Sequence, residues 1–548
     1  MREATCYRAA LVAITLLVVA VAGCWALLTP AFRAPDEPQH VNSVLRLAYG
    51  GGWPAPGEAR MSPAMDVARR QAALESDIPG RHWNRAGVIQ YTDVVPVPDG
   101  QRLQVTAENA LPEPGSSSGL AAVDQMTQHP PLYYAAAAAW LHVTGTADAR
   151  WDQVLLSLRL FGVLLLVPLP LLAAATARTL LGDRRQARPA ALVAAAAVLF
   201  VPMSAHILSA VTNDALVALS GAVITWLVAR VLPGDLRWRT AIGLGLALGV
   251  GLLTKVMAAF AVPMVVVAYL LAGPAGRPLL ADLRRTWWRR TARVLVAGLV
   301  AFAAGGWWWL RNLLLFDAVQ PVGLPERWEP VPNAGVGHFV TTVLTALTRS
   351  FFGDFGWLEL RVPTAVFWAG ATIVAALCIV ALVRRDTRRD AAALLILPAA
   401  LWVSVVSNAW RHYVDTGWIT AVQGRYLFAG LTALAVVTAL GARPRARAVP
   451  WLVGAGGAVA AASLVFAFRG MYGGPRESAA EAAARLAEWS PLSPGQLGTV
   501  GASTFVVAVV AAGACVRFAV VATTRRAAPA ATATASTATT TDGTGASV

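Results

Sequence analysis

The chain has 548 residues, of which 57% are hydrophobic and only 14% charged, with a mean hydropathy of +0.56. Soluble domains carry about 25% charged residues, whereas apolar runs of bilayer-crossing length recur along nearly this whole sequence, so a soluble globular protein is excluded in favour of a polytopic membrane protein. The net charge of +15 does not point to nucleic acid: every basic residue except Lys255 is Arg, and most sit in short tracts between apolar spans, where they act as orientation signals.

In chain order, the first apolar run, about 9–29, lacks a small-x-small cleavage site and reads as a retained helix. Further spans are predicted at about 154–178, 188–207, 214–232, 240–254, 256–272, 292–310, 362–383, 391–408, 425–441, 449–468 and 499–521, giving twelve helices in an all-α polytopic protein. Basic tracts at Arg178–Arg188, Arg230–Arg239, Arg277–Arg293, Arg384–Arg389, Arg443–Arg447 and Arg525–Arg526 must share one side with the N-terminus. That parity places both termini in the cytoplasm of a plasma-membrane protein. It also makes Pro130–His142 a short interfacial or re-entrant helix, with Tyr133, Tyr134 and Trp140 suited to the headgroup level, and turns the run 240–273 back on itself near Thr254–Val256.

The outer side then receives a first loop of residues 30–153 and a second of 311–361, within a transmembrane body of residues 1–523. Residues 524–548 form an Ala/Thr-rich tail expected to be disordered. The first loop holds nine Arg against thirteen Asp and Glu, and its apolar patches are too short for a sizeable soluble core, so short helices lying on the membrane are expected. Cys6, Cys24, Cys378 and Cys515 have no paired spacing and support neither a disulfide framework nor a metal site.

Candidate functional residues cluster on that outer side. Asp36 and Glu37 follow the first helix in PDEPQH; adjacent carboxylates at a membrane surface are costly neighbours, and partial burial would raise one pKa for proton transfer, although Asp before Pro is also an ordinary helix cap. His40 lies three residues on, a spacing that admits a divalent metal, Mn or Zn. His129 in HPPLYY is either a site residue or a headgroup anchor; Asn213 and Asp214 in VTND either cap a helix or face a cavity. Lys255 either snorkels or pairs with an anion such as a lipid phosphate. Arg311, after a Trp triplet, offers a bidentate phosphate clamp. Arg425, beside Tyr426 in QGRY, stands at an outer helix start where topology gives it no role, so it either binds an anion or pairs with Asp415 or Glu37.

The combination PDEPQHV, HPPLYY, TNDAL, LTK, WWWLRN, FGDFGW and QGRYLF resembles a bacterial multi-pass family, domain of unknown function 2142, across most of residues 10–470. That family in turn looks like the C-type (GT-C) glycosyltransferases, which take a sugar from a polyprenyl-phosphate carrier on the outer membrane face. Asp36-Glu37 and His129-Pro130-Pro131 match the family's acidic motif and HPP-type turn in kind and order. The last two helices and the loop 469–498 carry no matching motif. The resemblance implies an inverting transfer to a cell-envelope glycan or lipid acceptor, with Asp36 as base, Glu37 holding a hydroxyl, and Lys255, Arg425 and Arg311 receiving the phosphate. A transporter or flippase of a lipid-linked precursor and a non-catalytic envelope scaffold are the rival readings.

Overall fold

The structure, a computed structural model, describes residues 2–73, 91–92, 94–112, 123–274, 279–324 and 329–527. Residues 528–548 of the expected tail lie outside the described residues, whereas 524–527 continue the last helix, Pro494–Ala527. Helix dominates what is described, with one two-residue strand at Leu360–Arg361.

Among the described residues nine helices are long and apolar enough to cross a membrane, or ten when a bent pair is taken as one span. The nine are Arg2–Leu28, Trp151–Leu181, Asp214–Val231, Asp282–Phe316, Thr364–Val383, Arg388–Thr416, Gly424–Ala442, Ala446–Tyr472 and Pro494–Thr524. Several run further than the apolar windows that predicted them: 292–310 becomes Asp282–Phe316 and 391–408 becomes Arg388–Thr416. Hydropathy marks only the part that suits hydrocarbon, while backbone hydrogen bonding carries the helix on into polar surroundings.

The remaining predicted spans are broken or short, each for a local reason. The run 188–207 is Ala187–Phe200 followed by Pro202–Leu208, bent by 72°. Pro202 cannot donate an N–H, and Val201 before it adopts φ −124° and ψ 73°, outside the helical region. The run 240–273 does double back, but as two shorter apolar helices, Trp238–Leu252 and Val256–Leu270. At 15 residues the first is about 22 Å long, short of a hydrocarbon core of about 30 Å. Lys255 sits in the extended link between them, with φ −162°.

The segment between the first two long helices contains the expected short helices, Glu37–Ala48, Pro63–Gln71 and Leu132–Val143. It also builds a core of its own, which the sequence reading did not expect. Phe32, Val44, Leu45, Met65, Tyr134 and Leu141 pack with Trp151, Leu158 and Phe161 from the N-terminal end of the second long helix. Apolar residues scattered over this loop are too sparse for a free-standing domain, but a helix end supplies the missing surface.

One close approach sets the geometry needed below. A Cβ on Gly221, in Asp214–Val231, would meet the carbonyl oxygen of Ala429 at 2.0 Å, so only glycine lets that helix touch the tight 3-10 segment Gly424–Gly430. Gly298 has open space at the same point. Gly221→Ala is therefore expected to lose about 1–3 kcal/mol of stability by overpacking, and Gly298→Ala to be near neutral. Thermal unfolding of both variants in detergent checks this; equal melting temperatures would contradict the close packing.

Candidate functional site

The two adjacent carboxylates after the first helix face different partners. Asp36 takes a left-handed backbone, φ 62° and ψ 11°, just before the helix Glu37–Ala48, and its side chain makes no capping hydrogen bond. Its Oδ2 accepts a hydrogen bond from Arg425 Nη2 at 2.5 Å, while Arg425 Nη1 donates to the carbonyl of Pro35 at 3.2 Å. Glu37 is fully buried and accepts from Arg159 through both oxygens, at 2.9 Å from Nε and 2.7 Å from Nη2; Val211 N–H also donates to it at 3.2 Å. Arg159 spends its remaining donors on the carbonyls of Ala26, Thr29 and Pro30. The pair therefore ties the end of the first helix to the second long helix and to the turn before Asp214. Each carboxylate has its own guanidinium, so they do not form the coupled acidic pair the sequence suggested.

Four charges from distant parts of the chain join in one buried network. Lys255 Nζ lies 2.5 Å from Asp214 Oδ1, and Arg425 Nε lies 3.8 Å from Asp214 Oδ2. The order Asp36, Arg425, Asp214, Lys255 alternates in sign, which is what low-dielectric surroundings demand. Arg425 thus pairs with Asp36 and Asp214 rather than with Asp415 or Glu37. Tyr426 lies beneath both cations, its ring centroid 5.3 Å from Lys255 Nζ and 5.4 Å from Arg425 Cζ. Asp36 is the most accessible of the four, its side chain 22% exposed against 3–8% for the others.

In and beside this network several buried polar atoms make no hydrogen bond: both amide atoms of Asn213, His129 Nδ1, and Asp214 Oδ2 and Arg425 Nε, which meet only as an ion pair. Asn213 precedes a helix, but makes no side-chain cap; Thr212 Oγ1 accepts from Asp214 N–H instead, at 3.2 Å. The capping reading of Asn213 and Asp214 is thereby overturned. Buried polar atoms left unpaired in a charged site suit a ligand with hydroxyl groups.

The aromatic turn faces the same place. Tyr133 and Tyr134 are completely buried rather than lodged at headgroup level. Tyr133 Oη accepts from Thr212 N–H at 3.0 Å, and Tyr134 Oη shares a 3.0 Å hydrogen bond with His40 Nδ1. Trp53 leans on Tyr134 and donates to the carbonyl of His129. His40 and His129 are both held well below the usual histidine pKa, first by burial and then by the cations Arg425 and Lys255 for His40, and by Lys255 for His129. With both histidines neutral, the two acids and two bases of the network cancel.

Arg311 does not join this assembly. Its guanidinium lies 4.8 Å from the ring centroid of Trp308 and 5.7 Å from that of Phe316, and its hydrogen bond goes to Asn312. Among the described residues no group of three metal-ligating side chains converges, and the Glu37 and His40 considered for a metal are engaged by Arg159 and Tyr134. Arg159 is the residue sequence reasoning missed, and its signal was available: an arginine inside an apolar span is expensive and needs a partner.

The model of the predicted membrane protein family DUF2142 matches residues 17–434, about three-quarters of the chain. The chain belongs to this family. The match includes every residue of the charged network and ends before the last two long helices, consistent with the absence of recognisable motifs there. No curated protein matches the sequence. Among solved structures, the chain is similar to ArnT from Cupriavidus metallidurans bound to undecaprenyl phosphate, at 15% identity and a TM-score of 0.47, over 93% of this chain and 76% of that one. It is also similar to the Archaeoglobus fulgidus oligosaccharyltransferase tethered with an acceptor peptide, at 14% identity and a TM-score of 0.40, over 92% of this chain and 55% of that one.

Two outcomes follow from the geometry. Arg159→Met leaves Glu37 as an uncompensated buried charge and is expected to cost about 3–5 kcal/mol in chemical or thermal unfolding. An unfolded histidine titrates near pH 6.5, whereas His40 and His129 resist protonation when folded. Stability should therefore be level above about pH 6.5 and decline as pH falls below it, because the unfolded chain then binds more protons. Melting temperatures against pH, compared with a His40→Gln, His129→Gln double variant of flatter profile, check the sign.

Proposed function

We propose that this protein is a GT-C-like glycosyltransferase of the plasma membrane that transfers a sugar from a polyprenyl-phosphate donor to a cell-envelope glycan or lipid acceptor on the extracytoplasmic face. The observation that carries the reading is the buried Asp36–Arg425–Asp214–Lys255 network, with the Asn213 side-chain amide and His129 Nδ1 beside it making no hydrogen bond. It combines fixed cations for a phosphate, a partly accessible carboxylate for a proton, and neutral polar atoms for sugar hydroxyls. In this proposal the chain crosses twelve times within residues 1–523, with both termini cytoplasmic, and the Lys255 turn opens to the outer side.

The chemistry is an inverting displacement. The acceptor hydroxyl gives its proton to Asp36 as its oxygen forms a bond to the anomeric carbon; the bond from that carbon to the phosphate oxygen breaks, and polyprenyl phosphate leaves with the electron pair. Lys255 and Arg425 stabilise the charge that grows on the leaving phosphate. Because Arg425 is held by Asp36 before donor arrives, the phosphate must draw it away, which frees the carboxylate for the acceptor. Glu37 does not act on substrate in this scheme; with Arg159 it positions the backbone that presents Asp36. Asn213, His129 and His40 with Tyr134 line the sugar side, Tyr426 supports the cations, and Arg311 has no role.

Removing the Asp36 charge separates binding from chemistry. Asp36→Asn is expected to lower sugar transfer at least about 100-fold, while binding polyprenyl phosphate severalfold more tightly than wild type, since Arg425 is released. Lys255→Ala should weaken both. Transfer from a panel of radiolabelled polyprenyl-phosphate sugars to envelope extract, together with lipid binding by the purified protein, tests this; an Asp36→Asn protein that folds and transfers at the wild-type rate overturns it.

A further inference from the structure

A second lipid-facing feature lies on the helix Leu279–Ala301, which continues through a π-turn at Phe302–Gly306 into Trp307–Phe316. The span Asp282–Phe316 has 35 residues, about 52 Å of helix against about 30 Å of hydrocarbon, so a long stretch must stand among headgroups. Trp309, near one end, donates to the carbonyl of Leu252 next to the Lys255 turn. The opposite end, which carries Arg284-Arg285-Thr286-Trp287-Trp288-Arg289-Arg290, is therefore remote from the charged network.

That end has two faces. Arg290 is buried and spent inward on Asp282, Thr286 and the carbonyls of Tyr269, Leu270 and Ala272. Arg293 likewise donates to the carbonyl of Leu236, with its guanidinium 3.6 Å from the ring centroid of Trp238. On the other face Arg284, Arg285 and Arg289 are exposed, and none has an acidic partner among the described residues. Arg285 and Arg289 are four apart, a like-charge spacing that costs stability unless an anion sits between them. Trp287 and Trp288 stack with ring centroids 3.9 Å apart and remain 45% and 68% exposed. Stacked indoles beside unpaired guanidinium groups match a lipid headgroup region: the rings suit the carbonyl level and the arginines the phosphates just beyond.

We infer that Arg284, Arg285 and Arg289, with Trp287 and Trp288, form a binding site for an anionic phospholipid of the leaflet opposite the charged network. Its occupant is a bulk lipid rather than the sugar carrier, because it sits at the far end of the helix from Lys255; that choice of occupant rests on the proposed donor site, whereas the anionic-lipid site itself rests on the patch alone.

The test is native mass spectrometry of the full-length protein titrated in detergent with phosphatidylglycerol or phosphatidylcholine. Wild type should retain phosphatidylglycerol preferentially, and each of Arg284→Gln, Arg285→Gln and Arg289→Gln should weaken that retention by about fivefold. Arg311→Gln, remote from the patch, should leave it unchanged. Should an arginine variant insert poorly, a Trp287→Ala, Trp288→Ala variant, which keeps every charge, should still lose affinity. Equal retention of the two lipids by wild type, or variants indistinguishable from it, overturns the inference; displacement of phosphatidylglycerol by equimolar polyprenyl phosphate would assign the patch to the carrier lipid and overturn the choice of occupant.

Discussion

The ion pair between Glu37 and Arg159 is the constraint on which the candidate site and the helices around it depend. A guanidinium inside an apolar helix has to be neutralised and its donors filled, and Arg159 does both with one carboxylate and three carbonyls. Those carbonyls belong to the last turn of the first helix and the exit after it, so a single side chain fixes where the chain leaves that helix. The adjoining residue, Asp36, is thereby aimed at Arg425 nearly four hundred positions later. A stiff support of this kind holds the charged groups around it in register.

Charge neutrality gives the site its second character. Two acids and two bases cancel, and two histidines kept uncharged by burial add nothing. Unpaired cations would attract any anion; cations that rest on internal carboxylates yield only to an anion able to compete with those carboxylates. The network therefore trades raw affinity for discrimination.

Much of this was legible in the sequence as separate signals, and the assembly was not. Asp36, Asn213, Asp214, Lys255 and Arg425 each stood out because a charge or amide beside an apolar span needs a reason. Their convergence rests on contacts far apart in sequence that no periodicity records. Hydropathy averaging hid Arg159, because the eleven apolar residues of Trp151–Leu166 outweigh one guanidinium in the window. Tyr133 and Tyr134 were misassigned because aromatic residues at a helix start look alike whether they meet headgroups or a buried histidine. Arg311 was overvalued for the complementary reason: a cation after a Trp triplet can be satisfied by the rings themselves. The chain does reverse near Lys255, bringing Gly273 back to Leu232, but apolar run length alone did not show that the two helices it joins are short.

The left-handed backbone of Asp36 has a bearing on how its chemistry can be probed. Asparagine shares aspartate's ease at φ near +60°, through the same short polar side chain, whereas alanine is less favoured there. Alanine scanning at this position would therefore superimpose conformational strain on the loss of a carboxylate, and could unseat the following helix and Glu37 with it. Only the near-isosteric amide asks a purely chemical question there, so the stereochemistry of one peptide unit decides which substitution is interpretable.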